Sequence, residues 1–421
     1  MKLISQALFN PKSSTILVSD NHHAVATGEH GDPESIRTAS DIKRVPANEL
    51  ELTYRNNPVV FNSINKVVQT IMSAKHSIKA VDPRVQAYFD KFINELGNSG
   101  SDITWEELLT AIFKYQCIYG GAWIENIFNV KGNRIVDWDI IDPKKMDYAK
   151  NNSQNVIFDK FGSAIGYTQT LPSYVSIPPE KVAKKPPMVS LPQNSFFIPP
   201  EKIAFIKLYT VGDGVYPIGL IEPIYKTSLR KMNMEEALAT AIYRHGFPII
   251  WAKLGDLNHE PTPQQVQTML TKLKDINFKQ EIATPFYYDL QILESKKAEK
   301  LQGYLDYYND QEIAGLGIPK PYATGGGEDT NRATLDNQSN LFELTLKDII
   351  DTTTAAIRRY MFKPLCELEG FKEVPIIDWD IVGVDERDKK ANRIMDYVKV
   401  GILDPKDPRI QEFIKSVEGL D

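Results

Sequence analysis

The chain has 421 residues, a formal charge of -6, 42% hydrophobic residues and 25% charged residues. That length admits several domains or one elongated domain, and the acidic balance excludes a protein that wraps tightly around nucleic acid, though not one past which nucleic acid slides. Two cysteines, Cys117 and Cys366, exclude a disulfide framework, and no apolar run reaches the length of a membrane span.

Residues 1–50 are polar and read as an N-terminal arm. The opening MKLISQALFNPKSS has no signal-peptide apolar segment. His22, His23 and His30 lack the Cys or carboxylate spacing of a metal site. Three helices are then expected. The first spans Pro58 to His76, with Ile64, Val67, Val68 and Ile71 at helical spacing. The second starts at Asp82 as N-cap with Pro83 in its first turn and ends at Gly97. The third opens with a capping box from Thr104 to Glu107 and stops at Gly120-Gly121.

From Ala122 the pattern turns to strands, expected at 122–127, 135–141, 156–159, 164–170, 196–198 and 203–209. A proline-rich excursion, Pro172 to Pro200, interrupts them and suits a surface path rather than a central strand.

Ile218 to His245 then reads as one long helix, with Gly246 and Pro248 as its stop. At 1.5 Å per residue it would be roughly 40 Å long. Its apolar stripe drifts. Ile221, Tyr225, Leu229 and Met232 share one face; Met234, Leu238, Ala241, Ile242 and His245 lie opposite. A third face carries Lys226, Arg230, Asn233, Ala237 and Arg244, a sparse basic line. A stripe that changes sides suits a rod clasped by different neighbours.

Beyond it come a strand at 248–254, a helix at 264–276 and a strand at 286–293, a β-α-β insert. A helix at 295–313 follows, then the interruption GLGIPKPYATGGGEDT, then a second long helix from Asn331 to Phe362. Thr352-Thr353-Thr354 are poor helix formers and read as a bend. A strand at 374–382 and a charged helical tail from Asp385 complete the chain.

Two motifs suggest chemistry. Gly325-Gly326-Gly327 lacks the Lys-Ser/Thr of a phosphate loop and is followed by Glu328-Asp329-Thr330, whose carboxylates repel phosphate. Asp137-Trp138-Asp139 recurs as Asp378-Trp379-Asp380. On neighbouring strands these carboxylates would hold Mg²⁺ or Ca²⁺ and make a metal-dependent nuclease or phosphoryl transferase; on separate strands they are solvated strand ends.

Four stretches resemble the portal proteins of tailed double-stranded DNA phages: NPVVFNSINKVVQTIMSAKHSIKA, YQCIYGGAWIENIF, the long-helix segment YPIGLIEPIYKTSLRKMNMEEALATAIYRHGFPIIWAKL, and GIPKPYATGGGEDTNRATLDNQSNLFE. The resemblance implies an α+β, elongated subunit. Its parts would be an arm (1–50), a wing (51–215), a stem helix (216–246), a clip (247–293), a second stem helix (294–318), a tunnel loop (319–332), a tunnel and wing helix with a returning strand (333–382), and a helical crown (383–421). It further implies a ring of about twelve subunits at a capsid vertex. Double-stranded DNA would pass through its channel in packaging and ejection. Terminase large subunit, head–tail adaptor and major capsid or scaffold protein would be its partners. The ring would be assembled in the host cytoplasm, with no cofactor, no catalysis and no membrane. Lys226, Arg230 and Arg244 would face the channel, and Thr324, Gly325, Gly326, Gly327, Glu328, Asp329 and Thr330 would form the tunnel loop.

Overall fold

The computed structural model describes residues 15–18, 44–98, 102–160, 162–172, 183–211, 215–246, 249–255, 260–274, 288–293, 299–324, 332–380, 393–401, 404 and 406–411. They divide into two compact units, residues 1–225 with 313–421, and residues 226–312.

In the first unit a short strand, β1 (Thr15–Val18), pairs antiparallel with residues 156–159, placing secondary structure inside the expected arm. Helix α1 (Ala47–Asn56) also begins within that arm and buries Leu50 and Thr53. Helix α2 (Pro58–Met72) is capped by Asn57, whose side chain accepts from the Val59 and Val60 amides. It buries Val60, Ile64, Val67, Val68 and Ile71, the expected stripe. It stops short of His76 because His76–Lys79 forms β2, paired antiparallel with residues 376–379. Helix α3 (Pro83–Asn94) has the expected Asp82 cap, and α4 (Trp105–Tyr119) has the full Thr104–Glu107 capping box. Gly120 ends α4 in the left-handed region, φ 85°.

Strands β3 (Gly121–Phe128) and β4 (Ile135–Ile141) follow. Next come β5 (Met146–Tyr148), β6 (Val156–Asp159), β7 (Tyr167–Thr170), β8 (Ser195–Ile198) and β9 (Ile203–Lys207). They form antiparallel sheets ordered β4-β3-β9 and β5-β7-β8. Alternation along β3 sends Ala122 and Ile124 to a core with Leu108, Ile112 and Trp138, and Trp123 to one with Phe205 and Tyr148. Residues 173–182 of the proline-rich excursion lie outside the described residues. Val189 in its return is buried, and the Ser190 amide donates to the Lys150 carbonyl at 2.7 Å.

Residues 218–224 correct the long-helix expectation. The Ile218 amide donates to the Tyr209 carbonyl, and the Leu220 amide to that of Cys117, so the backbone here is committed to neighbours. A 3₁₀ turn with Pro223 near its start covers Glu222–Ile224, and α5 runs only from Tyr225 to Gly246. Its 22 residues span about 33 Å.

Residues 226–312 hold most of α5, then β10 (Ile249–Leu254), α6 (Pro263–Lys274), β11 (Tyr288–Leu293) and most of α7 (Glu299–Leu316). β10 and β11 pair antiparallel, Ile249 opposite Leu293, so the two strands of the β-α-β insert are neighbours with α6 in the connection between them.

In the first unit again, the stretch expected as a loop begins with a helical turn, α8 (Lys320–Thr324). Helix α9 (Arg332–Ile357) passes through Thr352–Thr354 as one helix, against the expected bend. Thr353 is buried and donates to Gln116 Oε1 at 2.8 Å, a contact that offsets weak propensity. The irregularity falls later, as a π-helical turn at Arg358–Phe362 before α10 (Lys363–Glu369). Pro364 lacks the amide that would bond the carbonyl four residues back, which suits the wider turn. β12 (Ile376–Trp379) returns to β2. Of the charged tail, residues 393–399 and 408–411 are helical, and 381–392, 402, 403, 405 and 412–421 lie outside the described residues.

Candidate functional site

Helix α5 carries the sequence-predicted basic line. Lys226, Arg230, Asn233 and Ala237 are all exposed, at the three- and four-residue steps that put them on one side of α5. Arg244 belongs to α5, but its side chain lies outside the described residues.

The other faces are arranged unusually. Ser228 is 0% and Lys231 3% exposed, whereas Leu229 is 43% exposed. Lys231 Nζ meets Glu312 Oε2 of α7 at 3.0 Å, with Glu235 Oε1 at 3.9 Å. On α7, Tyr304 and Tyr307 are each 57% exposed. Residues 226–312 thus bury an ion pair between these helices and turn large apolar side chains outward. No local pattern signals the pair, because Lys231 and Glu312 are 81 positions apart.

Of the expected tunnel loop, Thr324 is the exposed last residue of α8, its hydroxyl donating to the Lys320 carbonyl at 2.9 Å. Gly325, Gly326, Gly327, Glu328, Asp329 and Thr330 lie outside the described residues. The root is clasped from two sides, a feature that sequence reasoning misses. Asn62 Nδ2 on α2 donates to the Ala323 carbonyl at 2.8 Å and the Tyr322 carbonyl at 3.3 Å. Tyr322 Oη and Ser339 Oγ of α9 are hydrogen-bonded at 3.1 Å. Asn62 thereby caps C-terminal carbonyls of α8.

The Asp-Trp-Asp repeats are not brought together. Asp137 and Asp139 sit on β4 and Asp378 on β12, in different sheets. Buried Asp137 accepts from the Gly97 amide at 3.2 Å and the Trp138 amide at 2.9 Å; Asp378 pairs with Lys79 at 2.5 Å. What the repeats share is a tryptophan anchor. Trp138 Nε1 donates to Asn126 Oδ1, and Trp379 Nε1 to Thr354 Oγ1, each at 3.1 Å. Among the described residues no group of three or more His, Cys, Asp or Glu is placed to hold a metal. The geometry thus removes the basis of the nuclease reading. His22, His23 and His30 lie outside the described residues.

Asp139 instead faces Glu125 directly across β4 and β3. Burial pushes both carboxyls above their ordinary values; Asp139 adds to the shift at Glu125, and Lys202 opposes it. Burial also pushes the Cys117 thiol up to about 12 and that of Cys366 up to about 11. Neither is a thiolate nucleophile at neutral pH. No helix among the described residues is long and apolar enough to cross a membrane.

No curated protein matches the sequence. The fold is similar to a chain in the virion of the native gene transfer agent particle, with 12% identity, a TM-score of 0.61, and coverage of 87% of this chain and 92% of that one. It is similar also to a chain in the neck of the native gene transfer agent particle computed with C12 symmetry, with 13% identity, a TM-score of 0.60, and coverage of 88% and 94%. The family described as the portal protein of Mu bacteriophage matches residues 52–415, most of the chain, and the protein belongs to that family of portal proteins.

Proposed function

We propose that this portal protein assembles as a closed ring of about twelve copies at one vertex of a viral capsid, forming the channel through which double-stranded DNA is packaged and ejected. The observation that carries the reading is the inverted polarity of residues 226–312. A helix pair complete within one chain keeps its leucines and tyrosines inside. Here Lys231 and Glu312 are inside while Leu229, Tyr304 and Tyr307 are outside. Adjacent copies in a ring would cover those apolar side chains through heterologous contacts, which use different surfaces of one subunit. The C12 symmetry of the neck to which the fold is similar supports the number.

On this reading α5 and α7 are the stem, 247–293 the clip, 319–332 the tunnel loop, and 383–421 the crown. Terminase large subunit and head–tail adaptor would meet the clip, and capsid or scaffold protein the wing. The subunit is a structural element of the virion, assembled in the host cytoplasm and without catalysis of its own. Lys226, Arg230 and Arg244 face the channel. Their sparseness fits a conduit, because each tight phosphate contact adds affinity and would act as a brake on moving DNA.

Light scattering and negative-stain images of the purified chain test the reading. Rings are expected, and Leu229→Glu is expected to shift them toward free subunits. A chain that stays monomeric at high concentration would overturn it.

A further inference from the structure

We propose that Lys231 and Glu312 form a register lock between the two stem helices, fixing the height of one against the other. The pair is buried on both sides, with side-chain exposures of 4% and 0% and a separation of 3.0 Å. Glu235, one turn along α5 and half exposed, is a second carboxylate within 3.9 Å of the amine. One turn away on each helix a further polar side chain is buried. Ser228 Oγ on α5 and Asn309 Oδ1 on α7 are buried without a hydrogen-bond partner. This seam is therefore not built for maximum stability, since well-packed apolar side chains in place of a buried ion pair are often as stable or more so.

An ion pair supplies selectivity instead. Leucine against leucine tolerates a slide of one helix past the other. Lysine against glutamate does not: a slide of one turn, about 5.4 Å, parts the two groups, takes the buried Glu312 carboxylate from its amine and leaves Lys231 only the half-exposed Glu235 on its own helix. One axial alignment then stands apart from its neighbours in energy, as with a single polar group buried in a coiled coil. Lys226 and Arg230 are exposed on the same helix. Fixing α5 against α7 also fixes their height, so the lock would position channel-facing cations without touching DNA. That consequence rests on the portal reading; the lock itself does not.

The test uses the full chain with spin labels at Asn233→Cys and Gln311→Cys. Both positions are exposed, while the native Cys117 and Cys366 are buried. Labelled subunits are diluted into excess unlabelled chain, so that measured distances are within one subunit. The parent is expected to give one narrow distance. Lys231→Met alone should lower the melting temperature, and in a Glu235→Gln background, where no like charge stands beside position 231, the exchange Lys231→Glu with Glu312→Lys should recover most of that drop with the parent distance. Lys231→Met with Glu312→Leu should fold but add a second distance, displaced by about one turn. The parent distance alone in the apolar pair, or no recovery in the exchanged pair, overturns the lock. Particle mass by light scattering reports separately on the ring, so failure of the portal reading would be seen without failure of this one.

Discussion

Gly219 is seated on Gly120 with no room for a side chain on either. A Cβ on Gly219 would lie 2.7 Å from the Gly120 nitrogen, 2.9 Å from the Cys117 oxygen and 3.0 Å from the Ile118 oxygen. One on Gly120 would lie 2.7 Å from the Pro217 oxygen, and Gly120 is also left-handed. These are backbone atoms, so relief requires parting residues 217–220 from the end of α4. Gly219→Ala is expected to destabilise the fold by about 1–3 kcal/mol. Gly303, inside α7, has nothing within 4 Å of a built Cβ, so Gly303→Ala should stabilise by about 0.5–1 kcal/mol. Denaturant midpoints measure both. Equal midpoints for Gly219→Ala and its parent would mean that the junction into α5 is not held by this contact.

Thr353 and Gln116 form a buried link between α9 and α4, 2.8 Å long. Thr353→Val keeps the shape and removes the hydroxyl, leaving Gln116 Oε1 without that donor. Gln116 Nε2 already has no partner. The expected destabilisation is about 1–3 kcal/mol. Thr352→Ala, at a less buried position in a helix with weak local propensity, should cost nothing measurable or gain slightly. A calorimetric scan of the two variants tests the contrast.

Local rules explain which parts of this fold were legible. The Asp82 and Thr104 caps, the Gly120 stop and the strands 135–141 and 156–159 are specified by residues within a few positions, and they stand where periodicity put them. Errors fell where a distant partner decides. Residues 218–224 have helical composition, but Tyr209 and Cys117 take their amides. Thr352–Thr354 have the composition of a bend, but Gln116 and Trp379 hold two of their hydroxyls. Lys226 and Arg230 were legible as an exposed line because spacing along one helix suffices. Lys231 with Glu312 and Asn62 with Ala323 were not, because each joins elements far apart in sequence.

Glu125 and Asp139 give the fold a pH signature. Burial raises the Glu125 carboxyl above its ordinary 4.5, and Asp139 directly opposite raises it further, against Lys202. A carboxyl raised in the folded state stabilises fully below its unfolded value and loses that contribution as pH climbs through the folded one. At neutral pH the opposed pair is therefore a burden, of about 0.2–1 kcal/mol for like charges facing across strands. Glu125→Gln should be more stable than the parent at pH 7, with the advantage fading as pH falls toward 4.5 and gone below it. Melting temperatures across that range check it, and an advantage that persists at low pH would point to packing rather than charge.

If Lys226 and Arg230 line the channel, as proposed, they bear on how it treats DNA. Both are exposed and a turn apart, so a ring would repeat them as two tiers of positive charge. Cations that only brush phosphates release few counterions, and binding should depend weakly on salt. Replacing both by alanine is expected to leave particle mass unchanged, because it removes two charges and keeps Leu229, the outward apolar side chain beside them. The slope of log affinity for double-stranded DNA against log salt should shrink by about 1 for each phosphate no longer touched, equally for any DNA sequence. Packaging should continue in the alanine pair, since on the proposed reading so sparse a charge does not grip the DNA. An unchanged salt slope would place these two side chains away from the DNA path, against neighbouring copies instead.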